Sequence, residues 1–393
     1  MSDVLRTLRE ARPEELGPDV AVDDGTRRAE LTRAMAARPS TRAAGDARKR
    51  PSRGRLLPVW GIGLVGAAAA AALVATNLPS GGGAPHRQAG GPGGPAAETL
   101  DAKTVLLAAA EKADARPDRM RAYWRQTTIS TNAYQAKVPG GWYTVVTRER
   151  SETWTPSKPG VRTWTRQQEL GVRPAAPADE AAWRRAGSPS TFQLEVPMIG
   201  PKNGKARPAF KPFKATTAPG RVRTESSPLV DGDKVFWLGR NVTMKDLRAL
   251  PGDPKRLKAA LLRWYDGHDT ESSSVPQSAD AWLYRTAGGL VTGMPVRPEV
   301  RAAAFRMLAG LKTVRGLGKV KDTQGRTGDA IAMDERTSIG VVRHRLVIDR
   351  STGNALADET VLVKPAAGES RPAGWLLGSE AVMNTEWTDS APR

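Results

Sequence analysis

The chain has 393 residues, with 60 Lys and Arg against 41 Asp and Glu, a net charge of +19, no cysteine and three histidines. The missing thiols exclude disulfides, cysteine nucleophiles, thiolate metal sites and a lipoprotein anchor. His86, His268 and His344 are not paired at any metal-ligand spacing, and no H-E-x-x-H, G-x-S-x-G, S-x-x-K or Walker loop occurs. The expectation is a non-enzymatic protein with no cofactor and no metal.

Met1 to Arg55 predicts two short helices. Ser2 or Asp3 can cap Val4 to Arg12, which Pro13 stops, and Thr26 can cap Arg27 to Arg38, which Pro39 ends. Leu5 and Leu8 share one side of the first helix, and Leu31 with Ala34 and Met35 forms a narrow apolar stripe on the second. So few large apolar side chains cannot make an independent core. The segment therefore reads either as a polar tail or as a docking element with Leu5, Leu8 and Leu31 as its partner-binding anchors.

Leu56 to Leu78 carries no formal charge along its whole length. As a helix it spans about 34 Å, enough for a bilayer's hydrocarbon core. Arg48, Lys49, Arg50, Arg53 and Arg55 crowd its N-terminal flank, and Trp60 suits the membrane interface. That charge asymmetry places the N-terminus in the cytoplasm and the C-terminal domain outside the cell membrane, a single-pass layout. A cleaved signal peptide has a short charged start, whereas all of Met1 to Arg55 precedes this stretch. Gly61-Ile62-Gly63-Leu64-Val65-Gly66 matches a dinucleotide fingerprint, but no strand precedes it and no βαβ unit surrounds it. Spacings such as Gly63 with Ala67 would instead let two membrane helices approach closely.

Pro79 to Pro95 consists mostly of glycine and proline and reads as a flexible linker. The domain 96–393 follows, and residues from Glu98 onward carry a net +14 against +4 for Met1 to Leu57. A surplus outside the cell points to anionic lipid or an anionic wall polymer, and away from direct nucleic-acid binding. A solvated arginine-rich surface would explain it equally.

Within that domain, Thr99 can cap a helix to about Ala115, with Leu100, Val105, Leu106, Ala109, Ala110 and Ala113 at helical spacing. Ala122 to Ile129, Trp142 to Thr155 and Val161 to Leu170 predict long antiparallel strands. Gly171 to Arg221, rich in Pro, Ala, Lys and Gly, reads as an extended excursion over the sheet. Lys234 to Leu238 predicts a strand. Helices follow from Thr243 to Leu250, Pro254 to Tyr265, Ser278 to Gly288 and Pro298 to Leu311. Thr313–Asp322, Asp329–Asp334, Gly340–Asp349 and Asn354–Lys364 predict four successive strands, and Gly374 to Trp387 a last one. Asp349 to Asn354 fits a tight hairpin, with Asp349 bonding inside the turn and Gly353 at positive φ.

His344 lies inside a predicted strand and reads as a hydrogen-bonded core ring. The ten tryptophans after the span read mostly as core and cross-strand pairs, with a ligand groove as the minority alternative. If the protein acted on wall polymers, Asp349 and Glu359 would be candidate acids, but a turn role and a surface role explain them better.

The pattern Leu5-Arg6-Thr7-Leu8-Arg9, the single span and an outer domain opening on Ala-Ala-Glu-Thr-Leu resemble a family of actinobacterial membrane proteins. The strongest similarity lies in Asp246 to Leu261, Arg297 to Leu311, Gly325 to Ile331 and Leu346-Val347-Ile348-Asp349 with Thr352-Gly353. Members are typically encoded beside extracytoplasmic-function sigma factors, and their activity is largely unassigned. The layout is also similar to that of membrane-anchored anti-sigma factors, although the histidine and cysteines of the zinc-containing group are missing. The outer domain's helix, long meander and Asp-x-x-Thr-Gly hairpin resemble the half-barrel of periplasmic lipoprotein carriers. The resemblance implies an α+β fold in which a curved antiparallel sheet wraps helices and can hold an acyl chain. It also implies a membrane-anchored envelope sensor or regulator with a sigma factor as cytoplasmic partner. The alternative is an envelope module binding lipid, lipoprotein or wall polymer with no sigma-factor role.

Overall fold

The computed structural model describes residues 101–138, 141–198, 209–238, 240–269 and 276–392. The expected N-terminal helices, membrane span and linker lie outside the described residues. Among the described residues no helix is long and apolar enough to cross a membrane.

The first part of the domain runs α1 (Ala102–Asp114), β1 (Tyr123–Val138), β2 (Gly141–Pro156), β3 (Thr163–Pro174), α2 (Pro177–Arg185), β4 (Thr191–Met198), β5 (Ala209–Thr216), β6 (Arg223–Ser227), β7 (Lys234–Trp237) and β8 (Asn241–Thr243). A helical stretch follows: α3 (Met244–Arg248), α4 (Pro254–Leu262), α5 (Ala279–Thr292) and α6 (Pro298–Ala309). The chain then closes with β9 (Arg315–Lys321), β10 (Thr327–Thr337), β11 (Gly340–Asp349), β12 (Asn354–Pro365) and β13 (Trp375–Thr388). The class is α+β, as expected. Nine strands form one sheet in the order β6-β3-β2-β1-β13-β12-β11-β10-β9, and every described pairing in it is antiparallel. The last strand, β13, inserts between β1 and β12 and so joins the early meander to the late one.

The core lies between the helices and the β10–β12 part of this sheet. Ile331, Leu346 and Ile348 of the sheet are 0–1 % exposed, and they pack with Leu106 of α1, Leu283 and Leu290 of α5 and Phe305 and Leu308 of α6. Each such side chain contributes about 2 kcal/mol through burial. Helix α5 is buried on nearly every side, as its composition demands, because Ala, Leu, Trp and Gly leave it little polar face. Small residues Ala109, Ala110 and Ala113 let α1 approach α6.

Local signals account for most boundaries. Thr243 and Asp246 form a reciprocal capping box on α3, and Ser278 caps α5 through the Ala281 N–H. Pro254 and Pro298 open α4 and α6. The carboxylate of Asp349 accepts from Ser351 N, Ser351 Oγ and Thr352 Oγ1 at 2.9, 2.6 and 2.7 Å. Gly353 then takes φ +71°, and a Cβ there would lie 2.8 Å from the Ala109 carbonyl of α1. The hairpin tip therefore needs glycine twice, for its turn and for its contact.

Three expectations change. The cap of α1 is Asp101, which accepts from Thr104 N at 2.7 Å; Thr99 lies outside the described residues. Residues 171–221 are not simply an extended excursion: they finish β3, form α2 and build the β4–β5 hairpin. Alternate residues Phe192 and Leu194 bury against Tyr143 and Val145, a period hidden by the surrounding Pro, Lys and Gly. Helix α5 runs past Gly288 to Thr292 because tertiary contacts, not propensity, decide there.

Candidate functional site

The register of the sheet aligns one residue from each of seven strands. Ile331 of β10 faces Leu346 of β11, Leu346 faces Asp358 of β12, and Asp358 faces Glu380 of β13. Glu380 faces Ser130 of β1, Ser130 faces Glu149 of β2, and Glu149 faces Glu169 of β3. Directly opposite residues share a face of the sheet. The row therefore begins in the apolar core under the helices and becomes acidic where the helices end.

Asp358 sits at that change. It is 6 % exposed, and the Cβ position of Gly288 on α5 lies 3.1 Å from its Oδ2, so any side chain at 288 would press on the carboxylate. Burial pushes the Asp358 carboxyl up to about 7, helped by the charges of Glu380 and Glu359 and opposed by Arg285. Burial likewise pushes Glu380 up to about 7, opposed by a hydrogen bond from Thr128. Glu380 keeps partial solvent access, so Asp358 is the more strongly desolvated of the two. They titrate as a pair. Glu149 is raised too, by burial and then by Glu169.

Helix α5 brings one cation to this place. Arg285 lies one turn before Gly288, is 8 % exposed, and has a buried Nε with no hydrogen-bond partner. Its charge acts on both Asp358 and Glu335. His344 Nε2 is 2.8 Å from Glu335 Oε2, and Gln277 Nε2 donates to Glu335 Oε1 at 2.9 Å. Burial works against the Glu335 carboxylate, yet these hydrogen bonds hold it below the usual glutamate range. His344 is thus the hydrogen-bonded, buried ring expected of it.

The expected surface role of Glu359 is overturned. Its side chain is fully buried and accepts from Arg345 Nε at 2.7 Å, Thr323 N at 3.2 Å and Ser379 Oγ at 3.3 Å. The β9–β10 turn covers it, and Arg326 of that turn donates to the Val382 and Leu356 carbonyls, both at 2.7 Å. A strand pattern cannot show that a distant turn will fold across one of its residues. Asp349, by contrast, serves its turn. Arg301 is a further buried ion, 7 % exposed, donating to the Val291 and Met294 carbonyls at the C-terminal end of α5, where a helix favours a cation.

Tryptophans pair as expected. Trp124 and Trp387 meet edge to face at 5.4 Å, and Trp142 and Trp375 at 6.2 Å. Trp124 Nε1 donates to the Gly293 carbonyl. Arg48, Lys49, Arg50, Arg53, Arg55, Trp60, Leu5, Leu8 and Leu31 lie outside the described residues. None of the row residues stands out in sequence, because Asp358, Glu380 and Glu149 belong to separate strands. Only strand alternation with carboxylates on the inward phase could have marked them.

Chemically, the Asp358–Glu380 pair can hold and release a proton near neutral pH or balance a cationic group. Among the described residues, no cluster of three acids, histidines or cysteines could hold a metal ion. No protein-family model and no curated protein matches the chain. Among solved structures, the dehydratase domain from the CurK module of curacin polyketide synthase aligns at 11 % identity over 72 % of this chain and 80 % of that one. Its TM-score is 0.13, and the likeness carries no argument.

Proposed function

We propose that the protein is a non-enzymatic, single-pass envelope sensor or regulator of an extracytoplasmic-function sigma factor. Leu56 to Leu78 is its membrane helix, the tail 1–55 contacts the sigma factor, and the domain 96–393 is the outer sensing part. The observation that carries this reading is the uncharged stretch Leu56 to Leu78 with Arg48, Lys49, Arg50, Arg53 and Arg55 on one side only. It separates a tail too poor in apolar residues to fold alone from a domain with its own core. The resemblance to the sigma-associated actinobacterial family and to carrier half-barrels supports the rest, together with the nine-stranded sheet packed on α5 and α6. The β10–β12 face is filled by helix side chains, which favours a polar rather than an acyl ligand on the open part. Coupling requires that such a ligand bind two states of the outer domain with different affinity.

The test has two arms on the full-length protein. A periplasm-active reporter fused after Arg393 is expected to be active, and activity only in an N-terminal fusion would overturn the topology. Affinity capture from membranes is expected to recover a sigma factor, with loss in a Leu5→Asp/Leu8→Asp variant. Capture unaffected by that variant, or no sigma factor at all, would overturn the regulatory part and leave an envelope-binding module.

A further inference from the structure

The two faces of β1–β3 carry opposite charge. Strand alternation puts Glu149 and Ser151 on the side of the carboxylate row and Arg148 and Arg150 on the other. On that other side, β1 adds Arg125 and β3 adds Arg166 and Arg173. Two carboxylates lie among them: Glu152 is 5 % exposed under Arg125 at 3.0 Å and Arg150 at 2.7 Å, and the exposed Glu386 of β13 is 3.3 Å from Arg125, so the positive surplus of this face lies toward Arg148, Arg150 and Arg173. Trp154, also buried, lies beneath Arg125 at 5.2 Å and Arg166 at 5.4 Å, which holds their planes against the sheet.

Arg148 and Arg173 complete the array differently. Neither has a carboxylate partner among the described residues, and burial first, then the charge of Arg173, pushes the Arg148 guanidinium below its ordinary value. The Arg148 Nε is buried without a hydrogen-bond partner. Directly opposite it, Thr131 is 2 % exposed with an Oγ1 that also lacks one. Such a pair of guanidiniums is completed by an anion with several oxygens, which a fork-shaped donor binds bidentately. The array crosses three strands, about 10 Å at roughly 4.8 Å per strand, so it suits a line of anionic groups better than a single one. A lipid surface is usually met by projecting chains and apolar anchors, whereas two of these guanidiniums are stacked on Trp154.

We propose that this face docks a linear, phosphate-bearing polyanion, with Arg148 and Arg173 as the central contacts. The proposal deepens the reading above by giving the outer domain a ligand class, and rests on it only for the side of the membrane. The test uses full-length protein in detergent and labelled inorganic polyphosphate, with binding followed by fluorescence anisotropy across a salt series. An Arg148→Ser/Arg173→Ser variant is expected to weaken binding about tenfold or more and to lower the salt slope by roughly two phosphates. A Lys255→Ser/Lys258→Ser variant on α4 removes the same charge and is expected to stay within about twofold. Arg148→Lys/Arg173→Lys keeps the charge and loses the fork, so it is expected to weaken binding while keeping the parent's salt slope, which a folding defect would not do. Equal losses in both serine variants, no binding to polyphosphate, or no loss with the lysine variant would each overturn the proposal. So would binding to phosphatidylglycerol vesicles in place of polyphosphate. Reporter topology and sigma-factor capture are unaffected by any of these outcomes, so the two readings fail separately.

Discussion

The β10–β12 part of the sheet and the β1–β3 part are built from similar strands but stabilised differently. In the first, Ile331, Leu346 and Ile348 face helices and vanish from solvent, and buried ions appear with partners, as in Arg345–Glu359. In the second, no core helix among the described residues covers the middle of the strands, and both faces carry charge: Glu149 and Glu169 on one, Arg148, Arg150 and Arg173 on the other. Antiparallel sheets tolerate a wet face, so the second part is free to present chemistry while the first supplies cohesion. Asp358 and Glu380 lie where the two parts meet.

The contrast can be broken first at the core. Trp282→Ala removes a side chain of α5 that is 1 % exposed and is expected to cost about 4 kcal/mol in urea unfolding of the full-length protein. A cost below about 1 kcal/mol would mean that the helices do not hold the β10–β12 part together. Next, Glu359→Ala leaves Arg345 without its buried partner, and a loss of about 3 kcal/mol is expected. An unchanged midpoint would return Glu359 to the surface role its sequence suggests.

At the junction the expected effect is a pH dependence. The folded-state values of Asp358 and Glu380 lie near 7, above their ordinary 3.8 and 4.5, so the native state holds protons that the unfolded chain releases. Their contribution is therefore fully present below about pH 4 and lost as pH rises to about 7. Glu380→Gln is expected to flatten this fall by on the order of 2 kcal/mol, because it removes one titration and lowers the other. A stability profile rising over that window in the parent protein would contradict the buried pair. The smallest effect belongs to the open part: Ser151→Ala is expected to change stability by less than about 0.5 kcal/mol. A larger loss would show that something packs there.

Legibility follows the same division. The hairpin at Asp349–Gly353, the cap at Thr243 and the helices opened by Pro254 and Pro298 could be read directly, because each rests on bonds between residues a few positions apart; the reciprocal bond from Asp246 appears only in the structure. The β4–β5 hairpin escaped because only Phe192, Leu194 and Phe213 carry its pattern. The carboxylate row escaped altogether. Asp358 and Glu380 lie on different strands, Glu380 and its register partner Ser130 are 250 positions apart in the sequence, and no local pattern ties them.

By itself the sequence determined the α+β class, most strand and helix positions and the absence of thiol chemistry. Periodicity, caps and turns are short-range, and composition is complete in one dimension. Only the tertiary structure decided that β13 lies between β1 and β12, that Glu359 is buried under a turn, and that four carboxylates and five arginines collect on opposite faces. Those outcomes depend on which strands pair and which faces are covered, and burial is a property of the assembled sheet.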